Sequence, residues 1–129
     1  MPDCTAKKIG DMEVFYKGLF RKARAEVGID WVGMSVVELE PHADNHPDHD
    51  HESAGQEEVF VVLRGTGEMV VDGETVPLDE ETIVRVGPAA KRKINPGPDG
   101  MRLLALGGVS GAVYDAPGYT ELGAPDPLD

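Results

Sequence analysis

All four histidines of the chain fall within ten residues: His42, His46, His49 and His51. Asp44, Asp48 and Asp50 are interleaved with them, and the pair Glu57-Glu58 follows, ahead of the apolar run Val59, Phe60, Val61, Val62, Leu63. Imidazole and carboxylate are the ligands that divalent transition metals take. In an extended segment alternate residues face one side, so His49 and His51 can point together, and Glu58 shares a face with Phe60 and Val62. Two readings stand side by side. One is a ligand set on neighbouring strands, aimed into one cavity. The other is a solvated His/Asp loop that leads into a core strand.

The elements that must position these residues are bounded by composition. A chain of 129 residues is one domain with room for a core. Gly and Pro are abundant (16 and 10) and aromatics scarce, which favours short segments joined by turns. The single Cys4 excludes an internal disulfide and any cysteine cluster. No stretch reaches the ~18 apolar residues of a membrane helix, and the first residues lack a signal peptide's apolar core, so a cytoplasmic protein without membrane contact is expected. The net charge of −12 argues against nucleic-acid binding, which draws its affinity from basic clusters. Half of the basic residues precede position 25, and none lies between Ala25 and Leu63. The histidines therefore sit in a negative field that concentrates cations.

Along the chain, residues 18–29 fit either a short helix or an edge strand before Gly28. Strands are expected over Trp31–Leu39, Glu57–Leu63, Glu68–Val71, Glu74–Leu78, Thr82–Val86, Lys91–Asn95 and Met101–Leu106. Asp72-Gly73 is a hairpin turn of the kind that needs positive φ at both residues. Pro96-Gly97-Pro98-Asp99-Gly100 reads as a loop. We expect an all-β antiparallel sandwich or barrel with at most a short N-terminal helix. The organisation is one structural domain: an arm over residues 1–30 packed on the barrel, the barrel over 31–107, and an irregular tail over 108–129 that frays near Pro125-Asp126-Pro127.

At Glu58–Gly65 a longer pattern emerges. His49-Asp50-His51 supplies a His-x-His pair, and Glu58 is followed by Gly65 with six residues between them. Asp72-Gly73 then turns the chain, and Gly87-Pro88-Ala89 opens a second stretch. In this order the residues resemble the two motifs of the small single-domain cupins, over about residues 31–107. The resemblance implies a jelly-roll barrel with a divalent metal (iron, nickel, manganese or zinc) held by His49, His51 and a third ligand. Counting back from Gly65 makes that ligand Glu58; counting forward from His51 makes it Gln56. The third histidine of the pattern is absent, and Arg92 stands in its place.

Two His and one carboxylate remain a sufficient set, with open positions for water or substrate. Arg92 is turned inward on this reading, where it either grips an anionic substrate or pairs permanently with Glu58. Phe60, Val62 and Met34 are candidates for the cavity lining. His42 and His46 are expected to be exposed loop residues. Two functional classes follow. One is a metal-dependent enzyme acting on a small organic anion by oxygenation, isomerisation or a lyase step. The other is a non-catalytic cupin, a ligand-binding or structural protein without metal, its site closed by the Arg92–Glu58 pair. A homodimer is expected, because the 59–63 strand is apolar on both faces.

Overall fold

The structure is a computed structural model that describes residues 2–129. Seven strands are present: β1 (Val14–Phe15), β2 (Phe20–Arg21), β3 (Gly33–Leu39), β4 (Glu57–Val71), β5 (Glu74–Leu78), β6 (Ile83–Val86) and β7 (Arg92–Gly108). All pairings are antiparallel, in the order β1-β2-β3-β7-β4-β5. β6 lies against the first half of β4. Among the described residues one short α-helix, α1 (Ala23–Val27), ends at Gly28 in the left-handed region (φ 81°). The ambiguity of residues 18–29 resolves into both forms, because Phe20 and Arg21 pair with Val37 and Val36 before α1 begins.

Asp72 and Gly73 have φ of 47° and 84°, the two positive values that a tight hairpin requires, and β5 spans the expected residues. The loop expected at 96–100 is instead part of β7. The reason is a bulge. Gly65 faces Met101 and Gly67 faces Pro96, so residues 97–100 lie opposite Thr66 alone. The ladder resumes on both sides, and two expected strands become one. Gly65 (φ 88°) is required there, since a side chain would strike the Gly100 carbonyl. A second shift between Val62 and Arg64 also merges two expected strands into β4.

Period-two alternation on β7 sends Arg92, Ile94, Met101, Leu103 and Ala105 inward. Ile94, Met101, Leu103 and Ala105 meet Phe60, Val62, Met69, Val37 and Leu39 in the main core. The face expected to be apolar on both sides of β4 divides. Phe60 and Val62 are buried, Val59 and Val61 are half-buried, and Leu63 is exposed. The tail forms no strand, yet the end expected to fray is tied down. The Asp126 carboxylate accepts from the N–H groups of Lys17 (2.8 Å), Leu128 (2.9 Å) and Tyr16 (3.1 Å).

Candidate metal centre

The histidine segment 42–56 leaves β3 but is not free. His49 exchanges two backbone hydrogen bonds with Arg92: its N–H donates to the Arg92 carbonyl (3.1 Å) and its carbonyl accepts from Arg92 N–H (2.8 Å). The His51 N–H donates to the Pro88 carbonyl (2.9 Å). The start of β7 thus docks the segment as an extra extended piece, and alternation turns His49 and His51 to one side. Their ring centroids lie 4.9 Å apart.

Glu58 enters from β4, between Val86 on β6 and Gly107 on β7. One ligand atom from each of His49, His51 and Glu58 lies within 4.8 Å of the others. The Nδ1 of His49 is 2.8 Å from the Pro47 carbonyl, an acceptor only, so Nδ1 carries the proton and Nε2 keeps its lone pair. His51 Nε2 and Glu58 Oε1 stand 3.1 Å apart, both buried and without a hydrogen bond. Two buried polar atoms that make no hydrogen bond, beside a tautomer-fixed imidazole, suit a cation that binds all three. The donor set fits a divalent transition metal.

Arg92 is fully buried. Its Nη2 donates to the Gly87 carbonyl (2.7 Å), and its Nη1 lies 3.4 Å from Glu58 Oε1. Burial pulls the guanidinium pKa down, and Glu58 opposes that pull most among the nearby acids. Lys91 is exposed, and Lys93 reaches outward to the carbonyls of Asp44 and His46.

The His49, His51 and Glu58 side chains open on a cavity of about 450 Å³. Phe60, Met34 and Gln56 line it, Gln56 packed against Gly107. Val62 and Arg92 do not. Val62 belongs to the core, and Arg92 stands behind Glu58, away from the cavity.

His46, expected to be exposed, is 2% exposed and also lines the cavity. Its Nδ1 accepts from the Ile94 N–H (3.0 Å), which fills a backbone donor that the loop would otherwise strand. Burial, with His49 and the nearby cations, pushes its pKa down to about 3, so the ring is neutral. His42 is exposed, as expected.

Sequence reasoning missed the cover of the cavity. Lys22 is buried and donates to Glu13 Oε1 (2.8 Å) and the carbonyls of Glu121 (2.8 Å) and Ala124 (3.4 Å). Arg24, also buried, donates to the Ile29 carbonyl (2.9 Å) and Glu121 Oε1 (2.7 Å). These bonds hold the tail against the N-terminal arm, and its Tyr114 and Tyr119 line the cavity. The basic N-terminal composition was the only hint, since the tail acceptors lie about a hundred positions away.

Solved structures similar to this chain include the following three. A cupin protein from Bacteroides fragilis has 19% identity and a TM-score of 0.70, over 91% of this chain and 93% of that one. A sugar phosphate isomerase from a cupin superfamily of Silicibacter pomeroyi has 16% identity and a TM-score of 0.65, over 87% and 83%. A predicted oxalate decarboxylase from Thermotoga maritima has 20% identity and a TM-score of 0.54, over 60% and 65%. No curated protein matches the sequence. At these identities the likeness concerns the fold, an all-β jelly roll. Residues 35–107 match the family described as the cupin domain, more than half of the chain; together with the His-x-His pair, Glu58 and Gly65, this establishes that the protein belongs to the cupin family.

Proposed function

We propose that this cupin holds a divalent transition metal (iron, nickel, manganese or zinc) through His49 Nε2, His51 Nε2 and a Glu58 oxygen. On this reading it presents the metal to a small organic anion in the cavity. The observation that carries the reading is the pair of buried atoms His51 Nε2 and Glu58 Oε1, 3.1 Å apart and making no hydrogen bond, beside an imidazole whose free nitrogen is fixed by Pro47. When bound, the metal would supply Lewis acidity, polarising a coordinated oxygen of the ligand. The chain's own residues would do the rest. The Pro47 carbonyl orients His49, Arg92 offsets the charge of Glu58, and the cavity walls exclude water around the ligand. The similar proteins described as a sugar phosphate isomerase and an oxalate decarboxylase are named for small anionic compounds, which supports the substrate class.

Elemental analysis and calorimetry with each of the four ions test this. We expect one metal per chain, and a loss of about 100-fold or more in affinity for His51→Ala. Absence of uptake would favour the second reading, a cupin that binds its ligand without metal. That reading draws on the 3.4 Å approach of Arg92 to Glu58. Either reading includes a homodimer formed through the outward Val59, Val61, Leu63 and exposed Ile83. Sedimentation of a single 13.8 kDa species at micromolar concentration would remove that part.

A further inference from the structure

The chain has three phenylalanines and three tyrosines, and all six line the one cavity: Phe15, Tyr16, Phe20, Phe60, Tyr114 and Tyr119. The main core is built mostly from Leu, Val, Met, Ile and Ala; Phe60 is buried in it, and Tyr16 and Phe20 pack against its edge. A chain poor in aromatics has placed them where a ligand would sit. They come from three separate parts: the β1–β2 hairpin, β4 and the tail. Phe15 stacks with Phe20 (centroids 5.1 Å), and Tyr16 stacks with Tyr119 (5.8 Å), so the hairpin and tail make a continuous aromatic wall.

The polar lining narrows the choice further. Lys22 and Arg24 are the Lys and Arg side chains of the lining, and both are already committed. Lys22 serves Glu13 and two tail carbonyls, and Arg24 serves Glu121 and Ile29. The remaining Arg24 Nε lacks a partner but is covered by its surroundings. Away from the His49/His51/Glu58 end, a second anionic group such as the phosphate of a phosphorylated sugar would meet no uncommitted Lys or Arg side chain, at a desolvation cost. The volume of about 450 Å³ is ordinary for a small-molecule pocket.

We infer that the cavity selects a small chelating acid with a planar aromatic body, held by its carboxylate and neighbouring oxygen at the His49/His51/Glu58 end and by ring stacking at the hairpin–tail wall. The chelating end rests on the metal reading; the aromatic end does not. Mandelate and lactate share one α-hydroxycarboxylate donor set and differ in the ring, which makes them the probes. Ribose 5-phosphate represents the phosphorylated sugars.

Metal uptake is measured first, with the ion alone, and then each probe is titrated into the loaded protein by calorimetry. Mandelate should bind about tenfold tighter than lactate, and ribose 5-phosphate weakest. In Tyr119→Leu and in Phe20→Leu that preference should shrink while lactate affinity stays unchanged. Equal binding of mandelate and lactate, a preference for ribose 5-phosphate, or a mandelate preference untouched by both substitutions would overturn the inference and leave the metal reading intact. If no metal is taken up, the metal reading fails alone. Ligand-observed NMR on the protein as purified then decides the aromatic end: mandelate contacts to the tyrosine rings sustain it, and their absence overturns it.

Discussion

The wall of the cavity and its cover are held by different forces. The wall is β3, β7 and β4, where long ladders align Val37, Phe60, Met69, Ile94 and Leu103, all nearly inaccessible to solvent. The cover is the β1–β2 hairpin and α1, packed on the sheet through Leu19, Met12 and Ala23, and the tail, whose anchors are charged: Lys22 on the Glu121 and Ala124 carbonyls, Arg24 on Glu121, Asp126 on the hairpin amides. The tail's larger apolar residues Val113, Leu122 and Leu128 remain exposed. Hydrophobic burial is insensitive to ionic strength, whereas partly exposed charge pairs are screened. The metal candidates therefore sit on the firm part, and access to them is governed by the electrostatic part.

Substitutions can break this contrast, beginning with the wall. Arg92→Ala removes its one buried ion and should cost about 3–5 kcal/mol in thermal unfolding, the usual result of stranding a buried partner. A loss below ~1 kcal/mol would show that Glu58 does not rely on it. Arg92→His should tighten metal affinity by supplying a third imidazole, measured by calorimetry. On the cover, Lys22→Met leaves two tail carbonyls without their donor and should cost about 1–3 kcal/mol, with faster proteolysis after residue 108. Unchanged proteolysis would contradict the anchoring role.

A pH titration sharpens the same comparison. The His46 pKa is depressed from 6.5 to about 3 in the fold, so the unfolded chain takes up the proton first. Its contribution is complete above the unfolded value and declines as pH falls from about 6.5 toward 3, by up to about 1.4 kcal/mol per pH unit. His46→Asn, which keeps an acceptor for Ile94, should flatten that slope; an unaltered slope would assign it to other groups. The smallest effect is expected for Glu121→Gln. Its pair with Arg24 is half-exposed on the Glu121 side, so global stability should change by less than ~1 kcal/mol. Amide exchange over 109–129 should nevertheless quicken, and 1 M salt should produce the same change in the wild type but none in β4 or β7. The Asp126 carboxyl is held below its usual range by the Lys17 and Leu128 amides, so the tail should also loosen as pH falls below about 4.

Much of the wall was legible because its signals are local. Asp72-Gly73 fixes a hairpin by its own conformational demands. Gly65 locates Glu58 by counting back along a rigid strand, and the alternation of Lys91, Arg92 and Lys93 turned the guanidinium inward. That Arg92 would stop behind Glu58 was not legible, because the Gly87 carbonyl that holds it comes from a turn with no distinctive side chain. His46 looked like a loop residue, since the Ile94 amide it serves lies 48 positions later. The cluster at 96–100 has the composition of a loop, and only its partner strand shows that the ladder continues past it. The anchoring roles of Lys22 and Arg24 left no local signal, because their tail acceptors lie at the other end of the chain.

The bulge at 97–100 has a further consequence, a mechanical one. It works as an expansion joint in β7. Slack taken up opposite Thr66 does not propagate into the pairing of residues 92–96 with 67–71, which is what keeps Arg92 facing in and both lysines facing out. Pro98 and Asp99 are exposed at its tip. A few residues inserted between them should leave the melting temperature within a few degrees of the parent. A single residue inserted after Ala89 would instead slip the register by one and drive a lysine against Glu58. Variation in chain length is thus absorbed at one end of the strand and forbidden at the other, which makes the Pro98–Asp99 tip the place to graft a reporter peptide.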